Sequence, residues 1–578
     1  SAGIATVNNG NLGRRRSLGK LAELSDLLVR DPLLGKSGIG HTRWATHGEP
    51  SVNNAHPHMT AEVAVVHNGI IENFQELREY LQKRGIQHTT DTDTETIALL
   101  TQAMIEDGHE PIEAAKKTID KLTGAFALCF LFEGHNDLMV IARKGSPLAI
   151  GIGKGEMFVG SDAIALSPMT NKISYLEEGD FAVLTRANVQ VWDHSGALVE
   201  REIKTINTQN TQVQKDGYQH FMEKEIHEQP RVVSLALEYY FDPNTGKITL
   251  PDGIDINFND FEQIYLVACG TAFYACHVAK YWFEDIARIP VEIDIASEFR
   301  YREPPIKKNT LAIFVSQSGE TADTLAALRY CTGKAKKIVS LTNVSESSIS
   351  RESDCSLPIL AGIEIGVAST KAFTCQLSVL FALAIKASSD LEKISNEEQM
   401  NIYSEAIKIP SLINQILDKK DSFSALATKL SEARDVLFLG RGLLYPLALE
   451  GALKLKEISY IHAEAYASGE LKHGPIALID KSVPVIILTP KDKLFDKNIS
   501  NIQEVAARGG KVVLISDKLG IDTIGEKFWN IIELPKTIDT LNPLLYAIAA
   551  QLIAYYTAVA KGTDVDQPRN LAKSVTVE

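Results

Sequence analysis

The segment LEGALKLKEISYIHAEAYASGELKHGP (449–475) carries charged residues at helical spacing. Glu450, Lys454 and Glu457 stand at positions i, i+4 and i+7, so a helix places their side chains on one face. The apolar neighbours leave little room for a wholly exposed helix, and charges among apolar side chains have the shifted pKa values that proton-transfer groups need. A solvated face with an i,i+4 Glu–Lys pair is the commoner origin of such a pattern. The segment therefore indicates either an acid–base site or a surface ion pair.

A run of small hydroxyl residues and glycine, SQSGET (316–321), lies between the apolar run TLAIFV and the helical run ADTLAALRY. A helix N-terminus presents unpaired N–H groups and a positive dipole end, which phosphate approaches closely where residues are small. A Ser/Thr cap without a ligand explains the pattern equally well. Because ACGTAF (268–273) and STK (369–371) are similar loops, we expect a ligand crevice at the carboxyl ends of parallel strands. The candidate donors of SQSGET are Ser316, Gln317, Ser318 and Thr321.

The N-terminal half contains three polar motifs, HTRWATHGEP (41–50), HNGIIEN (67–73) and TDTDTE (90–95). A free α-amino acid needs a cation for its carboxylate and an anion for its ammonium group, and Arg43 and Asp93 fit those roles. Asn68 and Gly69 have N–H groups suited to a developing oxyanion. The alternatives, a metal site at AHPH or a calcium loop at DTDTE, lack the further ligands that such sites need.

The elements that must position these motifs change in character along the chain. Residues 1–203 combine strand-like runs and short turns with helical patterns near 72–84 and 94–106. This order predicts an α+β unit with largely antiparallel sheets and helices on their faces. The polar, non-periodic stretch 204–217 is predicted to be a linker.

Beyond the linker, strand-like runs alternate with helices, which predicts parallel sheets in doubly wound α/β domains. The order strand, glycine-containing loop, helix occurs twice, so we expect two such domains at about 218–418 and 419–560. The last residues, 561–578, have neither helical nor strand periodicity and form a tail.

Composition excludes several classes of protein. The net charge of -14 argues against a nucleic-acid binder, and we expect no apolar run of the ~20 residues that a membrane span needs. Six cysteines without a CxxC pair favour a reducing, cytoplasmic location over a disulfide framework. LGKSG (34–38) has Arg30 where a nucleotide-binding P-loop needs glycine, which argues against nucleotide hydrolysis.

Taken together, HTRWATHGEP, HNGIIEN, SQSGET, EIGVASTKAF, LKHGP and the tail DQPRNLAKSVTVE resemble the motifs of the glucosamine-6-phosphate synthase family. Its members are glutamine-dependent aminotransferases that act on fructose 6-phosphate. The resemblance covers essentially the whole chain and implies an N-terminal-nucleophile (αββα) glutaminase domain followed by two sugar-isomerase (SIS) domains. It implies no metal or organic cofactor. The linker has no large insertion, so a bacterial-type, unregulated form is our hypothesis.

For the sugar half, the resemblance implies that Glu457 moves a proton between C1 and C2, with Lys454 and Arg441 supporting the charge. It implies that Lys573 forms a Schiff base with the C2 ketone and that His473 reaches over from a neighbouring subunit to assist ring opening. A homodimer is implied only through that role of His473. The residues implied to bind the sugar phosphate are Thr271, Ser316, Gln317, Ser318, Thr321, Ser369 and Ala572. Ala272 stands where the family usually has serine, so one hydroxyl contact is absent.

For the glutamine half, the resemblance implies that Asn68 and Gly69 form an oxyanion hole, that His56 lies close by and that Trp44 gates an ammonia channel. The residues implied to hold glutamine are Arg43, Thr46, His47, Gly69 and Asp93. The family's nucleophile is an N-terminal cysteine, whereas this sequence opens with Ser1 and has its first cysteine, Cys129, in an apolar strand. We therefore expect that the N-terminal segment is missing and that the polypeptide as given has no glutaminase activity.

The implied reaction converts fructose 6-phosphate and glutamine to glucosamine 6-phosphate and glutamate. One alternative is a glutamine-independent sugar-phosphate isomerase or deglycase, which would not need Arg43, Asn68 and Asp93. A second is a non-enzymatic sugar-phosphate sensor, which would keep SQSGET but would not need Glu457, His473 or Lys573. A third, an amidotransferase acting on a phosphoribosyl pyrophosphate, shares the glutaminase domain but not the sugar-isomerase half.

Overall fold

The structure, a computed structural model, describes residues 1–19, 21–43, 51–161, 163–205, 215–525 and 527–576. The chain divides into two compact units. The first unit comprises Ser1–Gln212 with Val575–Glu578, and the second unit comprises Val213–Ser574.

The first unit is built mainly from antiparallel strands. Its strands are β1 (Ala2–Asn8), β2 (Asn11–Ser17), β3 (Ser37–Thr42), β4 (His58–Met59), β5 (Val63–Ile71), β6 (Gly124–Phe132), β7 (Met139–Lys144), β8 (Ala149–Ile152), β9 (Met157–Gly160), β10 (Lys172–Tyr175), β11 (Phe181–Leu184), β12 (Val189–Trp192), β13 (Leu198–Val199) and β14 (Ile203–Thr205). Within the described residues they form three sheets, in the orders β2-β1-β3, β14-β10-β8-β9 and β13-β12-β11-β7-β6-β5-β4. Every pairing in these sheets is antiparallel, as the sequence predicted.

Helices cover one face of the longest sheet. The helices of the first unit are α1 (Leu21–Arg30), α2 (Phe74–Lys83), α3 (Asp93–Glu106), α4 (Pro111–Ile119) and α5 (Ala163–Leu166). The apolar side chains of α2, α3 and α4 pack on those of β5, β6 and β7 to form one core. Helix α3 begins at a proper cap, because the Thr92 side chain accepts a hydrogen bond from the Glu95 N–H. This cap fixes Asp93 in the first turn of α3, where the predicted glutamine site needs it.

The predicted linker falls partly on the last strand of the first unit. Strand β14 includes Lys204 and Thr205, the first two residues of the predicted linker 204–217. Residues 206–214 lie outside the described part of the chain. The domain boundaries drawn from the sequence otherwise stay predictions.

The first parallel sheet of the second unit has the order β16-β15-β17-β18-β19 within the described residues. Its strands are β15 (Gln263–Ala268), β16 (Val291–Ile295), β17 (Thr310–Ser316), β18 (Lys337–Thr342) and β19 (Cys355–Pro358). Its helices are α6 (Phe221–His227), α7 (Gln229–Tyr240), α8 (Gly270–Trp282), α9 (Ala296–Arg302), α10 (Ala322–Cys331), α11 (Ser348–Glu352), α12 (Lys371–Asp390), α13 (Asn396–Ala406) and α14 (Ile409–Leu417). The strand order reverses at β15, so the loops after β15 and β17 flank the topological switch point, where ligands bind in open α/β sheets.

The second parallel sheet repeats this topology with the order β21-β20-β22-β23-β24 among the described residues. Its strands are β20 (Asp435–Gly440), β21 (His462–Ala467), β22 (Pro484–Leu488), β23 (Lys511–Asp517) and β24 (Asn530–Leu534). Its helices are α15 (Lys420–Leu430), α16 (Leu444–Ser459), α17 (Phe495–Ala507), α18 (Lys518–Ile524) and α19 (Asn542–Lys561). All pairings in both sheets are parallel, which confirms the prediction of two doubly wound α/β domains.

Two long apolar helices join the two sheets through one core. Helix α12 and the stretch Asp539–Lys561 are each long and apolar enough to cross a membrane by length and composition, contrary to the sequence expectation. In each, 89% of the apolar window is buried inside the protein. The sequence scan missed them because single polar residues interrupt their apolar runs. They are therefore arranged as core helices, and they fix the position of α16 against the first parallel sheet.

Candidate functional site

The charged helix predicted from the sequence is α16, and two of its three charges are buried. Glu450 is 0% exposed and Lys454 is 1% exposed, which rules out a solvated surface face. The Lys454 ammonium lies 2.6 Å from Glu457 Oε2 and 3.6 Å from Glu450 Oε1. Glu450 Oε1 also accepts a hydrogen bond from the Thr271 hydroxyl at 3.2 Å, so the start of α8 contacts α16. The spacing i, i+4, i+7 therefore produces one connected acid–base cluster.

Burial and neighbouring charges together set the protonation states in this cluster. Desolvation raises the pKa of Glu450 to about 8, although the Lys454 charge opposes the shift. Burial alone would lower the pKa of Lys454, but Glu450 and Glu457 outweigh it and raise that pKa. At neutral pH the Glu450 carboxyl is therefore mainly protonated and Lys454 is charged. Glu457, whose side chain is 19% exposed, is the closer partner of that ammonium and the member of the cluster with access to solvent.

The SQSGET loop connects β17 to α10 and folds back on itself. Ser316 Oγ accepts a hydrogen bond from the Gly319 N–H at 3.0 Å and lies 2.9 Å from Thr321 Oγ1. Thr321 occupies the cap position of α10, yet its side chain makes no capping hydrogen bond. A simple Ser/Thr cap therefore does not account for this hydroxyl. The loop brings Ser316, Ser318 and Thr321 to the N-terminus of α10, as a phosphate site requires.

Gly319 is required in this loop. Its φ is +68°, and a Cβ at this position would meet Ser347 Oγ at 1.9 Å. Only glycine combines that conformation with so close a neighbour. Gly319 therefore allows the tight turn in which its N–H group donates to Ser316 Oγ just before α10 begins.

The loop between β19 and α12 contributes a carboxylate that sequence analysis missed. Glu364 is fully buried, and its Oε1 accepts the backbone N–H groups of Thr370 and Ala372, each at 3.0 Å, at the start of α12. Its Oε2 accepts the Ser369 hydroxyl at 2.9 Å and pairs with the Lys573 ammonium. Burial opposes ionisation, but the Lys573 charge and these donors outweigh it and lower the pKa of Glu364. Glu364 also contributes to the raised pKa of Lys454. The Glu364–Lys573 pair and the α16 cluster therefore interact electrostatically.

The C-terminal tail closes this network. Lys573 Nζ donates a second hydrogen bond, at 2.8 Å, to the Gly366 carbonyl oxygen. The adjacent Ser574 hydroxyl donates to Ser318 Oγ at 2.9 Å, which ties the tail to the SQSGET loop. The structure thus brings together the predicted loops at the switch point, the tail lysine and the α16 cluster.

An aspartate anchors the tail upstream of Lys573. Both carboxylate oxygens of Asp566 accept backbone N–H groups from the start of α6, those of Phe221 and Met222, each at 2.9 Å. The Asp566 carbonyl oxygen accepts the Val367 N–H at 3.0 Å. The tail therefore acts as the cap of α6 and also holds the loop that carries Glu364.

Four predicted residues take no part in this network. His473 is exposed at the end of a short 3₁₀ helix, Ser468–His473, and makes no hydrogen bond to another residue in the described ranges. Arg441 donates to Asn501 Oδ1 at 3.0 Å rather than to the α16 carboxylates. Ala572 is exposed, and the Gln317 side chain makes no hydrogen bond within the described part of the chain. Their predicted roles need either substrate or a second subunit.

The predicted oxyanion residues lie in β5, next to β6. Gly69 has a φ of +133°, and a Cβ there would meet the Ala125 carbonyl oxygen at 2.0 Å, so only glycine fits. Asn68 Oδ1 lies 2.6 Å from His41 Nε2, and its amide nitrogen donates to Ser161 Oγ at 3.2 Å. The side chain of Asn68 is therefore held by two neighbours while the strand bends at Gly69.

Asp93 is 3% exposed and is fixed to the same strand. Its Oδ2 accepts the Ile71 N–H at 2.9 Å, and its Oδ1 accepts the Thr94 N–H at 3.0 Å. Asp93 and Asp91 raise the pKa of Arg43, although burial, the larger effect, leaves it below its usual range. Arg43 and Asp93 are therefore close enough to interact, as a site for a zwitterionic amino acid requires. Trp44, Thr46 and His47, predicted to gate the channel and bind glutamine, lie outside the described residues.

Buried histidines surround this site, a feature that the sequence showed only in part through AHPH. The His41 and His56 rings lie 4.4 Å apart, and the His56 and His58 rings 5.0 Å apart. Burial lowers the pKa of His41 to about 4 and of His58 to about 3, and it also lowers that of His56 well below the usual range. Among the described residues, no group of three or more His, Cys, Asp or Glu side chains is arranged to hold a metal ion. These histidines are therefore neutral at physiological pH.

Cys129 is a core residue, as predicted. It lies in β6 at 6% exposure, and burial raises the pKa of its thiol to about 12. Such a thiol has almost no thiolate at neutral pH and is a poor nucleophile.

The matches to known protein families fall on either side of the boundary between the two compact units. The family model described as "Glutamine amidotransferase domain" matches residues 41–168, in the antiparallel unit. The model described as "SIS domain" matches residues 258–386 and 429–561, one match for each parallel sheet. Fold and matches together define a glutamine amidotransferase domain followed by two SIS domains.

Relatives define the family more narrowly. The protein named glutamine–fructose-6-phosphate aminotransferase (isomerizing) from Brucella abortus is 56% identical over 578 residues, which are 100% of this chain and 95% of the relative. The protein of the same name from Bradyrhizobium diazoefficiens is 55% identical with the same coverage. A solved structure, the C-terminal domain of the glucosamine–fructose-6-phosphate aminotransferase from Francisella tularensis, is 44% identical with a TM-score of 0.60, and covers 62% of this chain and 100% of its own. The chain belongs to the family of glutamine–fructose-6-phosphate aminotransferases (isomerizing).

Proposed function

We propose that this protein converts fructose 6-phosphate and glutamine to glucosamine 6-phosphate and glutamate. The observation that carries the proposal is the continuous network in the second unit. It runs from the SQSGET loop through Ser574, Lys573 and Glu364 to the buried cluster of Lys454, Glu450 and Glu457. A phosphate site, an amine and an acid–base cluster are the three parts that amination and isomerisation of a ketose phosphate need.

The phosphate is bound by the loop at the N-terminus of α10, through Ser316, Gln317, Ser318 and Thr321, while Thr271 and Ser369 line the sugar and Ala572 lies beside it. The Lys573 ammonium group first gives one proton to a neighbouring base, and the neutral amine then attacks the C2 carbonyl carbon with its nitrogen. Its two protons and the carbonyl oxygen leave as water, with proton transfers through neighbouring acids, and a C=N bond forms. Ammonia next adds at C2 and releases the Lys573 amine, so the C2 oxygen is replaced by nitrogen.

Isomerisation of the C2 imine follows. The Glu457 carboxylate takes a proton from C1 and returns it to C2, while the imine nitrogen gains a proton and the C1 hydroxyl loses one. These transfers turn the ketose imine into the 2-amino aldose. The Lys454 ammonium, 2.6 Å from Glu457, stabilises the negative charge that develops as the proton leaves C1. Protonated Glu450 keeps this ammonium in place without adding a second full negative charge. His473 assists ring opening from a second subunit.

Glutamine is hydrolysed in the first unit. Arg43 grips its carboxylate and Asp93 its ammonium group, with Thr46 and His47 completing the pocket. The N–H groups of Asn68 and Gly69 stabilise the oxyanion of the tetrahedral intermediate, and Trp44 gates the passage of ammonia. The neutral histidines around His41 support this assignment, because they add no charge that would compete with Arg43 or Asp93 for the ligand.

The remaining parts of the proposal concern assembly and location. The exposed His473 supports a homodimer in which it completes the sugar site of the partner subunit. All six cysteines are free, which supports a reducing, cytoplasmic location. The proposed partners are small molecules, without nucleic acid or membrane.

Product analysis tests the proposal directly. The enzyme, expressed with its natural N-terminus, is given fructose 6-phosphate and glutamine, and the products are identified by mass spectrometry. We expect glucosamine 6-phosphate and glutamate in equal amounts. Glucose 6-phosphate alone would replace the proposal with the alternative, a glutamine-independent isomerase.

A further inference from the structure

A second buried carboxylate lies behind the loop that contacts Lys573. Glu225, in α6, is 2% exposed. Its Oε1 accepts two consecutive backbone N–H groups, that of Ile365 and, at 3.1 Å, that of Gly366. These residues directly follow Glu364, and the Gly366 carbonyl oxygen is itself an acceptor for the Lys573 ammonium. Glu225 thus holds the two peptide groups that lie between the acceptors of the amine, which are the Glu364 carboxylate and the Gly366 carbonyl oxygen. It makes no hydrogen bond of its own to the amine.

This arrangement is costly for the protein. The Oε2 atom of Glu225 is buried and has no hydrogen-bond partner among the described residues. Burial, with a further contribution from Glu364, raises the pKa of Glu225. A buried carboxyl group with one unsatisfied oxygen costs free energy, and such a cost is tolerated where a group has a role beyond stability.

Apolar packing does little to fix the orientation of residues 365 and 366. The Ile365 side chain is 39% exposed, so apolar packing contributes little to holding that residue. Gly366 fits closely against Glu225, because a Cβ on Gly366 would lie 2.8 Å from Glu225 Oε2. The orientation of the segment 364–367 is therefore set chiefly by two acceptors. The Glu225 carboxylate accepts the first two N–H groups, and the carbonyl oxygen of the tail residue Asp566 accepts the next one, from Val367.

We propose that Glu225 is a positioning residue for the Lys573 amine: by holding the Ile365 and Gly366 N–H groups it aims the Gly366 carbonyl and the Glu364 carboxylate at that amine. The inference rests on the proposed function, in which Lys573 forms an imine with the sugar. Glu225 acts through the loop and does not touch substrate. Its removal should leave sugar binding largely intact but should slow the attack of Lys573 on C2, because small misplacements of a reacting group are expensive.

Two different substitutions disturb this contact. Glu225→Leu removes the acceptor and keeps an apolar side chain of similar size. Gly366→Ala keeps Glu225 but places a methyl group 2.8 Å from its Oε2, which must shift the carboxylate. Glu225→Gln is the conservative variant, because its amide oxygen accepts the same two N–H groups. Glu223→Gln, in the same helix, is the matched control.

Imine trapping measures the proposed role directly. Fructose 6-phosphate is added with sodium cyanoborohydride, which reduces the C=N bond to a secondary amine, and the Lys573 adduct is followed by mass spectrometry. Steady-state kinetics with ammonium chloride as nitrogen donor and thermal unfolding are recorded in parallel. We expect Glu225→Leu and Gly366→Ala to slow trapping and kcat by at least about tenfold, while KM for fructose 6-phosphate changes less than about threefold. Glu225→Gln and Glu223→Gln should stay within about threefold of wild type in all readouts.

Three outcomes would overturn the inference. The first is wild-type trapping in Gly366→Ala, together with either wild-type trapping or loss of folding in Glu225→Leu. The second is a parallel fall of kcat, sugar affinity and thermal stability, which marks a purely structural residue. The third is failure of Glu225→Gln to restore trapping. Failure of the proposed function looks different, because the wild-type enzyme itself would then form no Lys573 adduct.

Discussion

The first unit has neutral histidines beside its predicted glutamine site, whereas the second unit has paired charges at its proposed sugar site. In the first, burial lowers the pKa values of His41 and His58, so these rings carry no charge at neutral pH. In the second, burial raises the pKa of Glu450, and a charged lysine links it to Glu457. In both units desolvation favours the neutral form of a buried group. That group is a base, histidine, in the first unit and an acid, Glu450, in the second.

This difference matches the chemistry proposed for each unit. A zwitterionic ligand is read by one cation and one anion, and the neutral histidines beside Arg43 and Asp93 add no further charge to that pair. Moving a proton between two carbon atoms instead needs a base and a nearby charge that stabilises the intermediate. The same physical cause, removal of water, therefore serves recognition in one unit and proton transfer in the other.

The largest expected effect separates the two units by removing the sugar-site amine. Lys573→Ala should lower synthesis of glucosamine 6-phosphate by at least about a thousandfold, with either glutamine or ammonium chloride as nitrogen donor. Glutamate release, measured separately, should be retained because Lys573 belongs to the second unit. Lys561→Ala, an exposed lysine at the end of α19, is the control. Undiminished synthesis by Lys573→Ala would remove the Schiff-base role.

The converse change breaks the glutamine site. Gly69→Ala forces a side chain into a φ of +133° and places its Cβ 2.0 Å from the Ala125 carbonyl oxygen. We expect glutamine-dependent synthesis to fall by at least about a hundredfold, since the oxyanion donors move, while ammonium-dependent synthesis is kept. Gly108→Ala is the matched control, because it also has a positive φ, +91°, but no neighbour within 4 Å of the added Cβ. Equal losses in both variants would show that strain alone, and not the position of Gly69, matters.

The fold was largely predictable from the sequence, because both kinds of sheet follow from the order of apolar runs. The face formed by Glu450, Lys454 and Glu457 was predictable too, since helical spacing alone places these residues together. Glu364 and Glu225 were not, because their meaning comes from contacts across 209 and 141 residues, with Lys573 and Gly366. A single acidic residue in a loop or a short helix has no local pattern that marks it.

A smaller expected effect is that His41 in the first unit and Glu450 in the second change stability with pH in opposite directions. His41 titrates near pH 6.5 when unfolded and near 4 when folded, so the unfolded state binds more protons between these values. The stability that neutral His41 contributes is therefore present above pH 6.5 and lost as the pH falls toward 4, on the order of 3 kcal/mol. Glu450 behaves conversely, since its folded pKa of about 8 exceeds its unfolded value of 4.5. Its contribution is complete below pH 4.5 and lost as the pH rises through 8.

Hydrogen exchange at several pH values, corrected for the intrinsic rate, measures both trends in one sample. We expect β5 to lose protection on acidification from pH 7 to 5, with no loss in α16 from the Glu450 contribution. His462→Gln, which alters an exposed histidine of the second unit, should leave both trends unchanged. A parallel response of β5 and α16 would contradict the comparison.

The smallest expected effect concerns the residue that follows Thr271. Ala272 is partly buried at the start of α8, beside the hydroxyl that donates to Glu450. Ala272→Ser adds one hydroxyl to the sugar site, and one neutral hydrogen bond contributes about 0.5–1.5 kcal/mol. We therefore expect KM for fructose 6-phosphate to fall by up to about tenfold with kcat unchanged. A higher KM would indicate that this position excludes a hydroxyl group.

The Asp566 cap of α6 has a consequence for the order in which the protein is made. Its partner Phe221 lies 345 residues earlier, and the cap position of α6, His220, makes no capping hydrogen bond of its own. During synthesis on the ribosome, the first N–H groups of α6 therefore lack these hydrogen bonds until nearly the whole second unit has been made. Because α6 also carries Glu225, the loop beside Lys573 takes its working position only in a finished chain. A chain that ends before Asp566 would thus lack both Lys573 and the loop conformation that positions it.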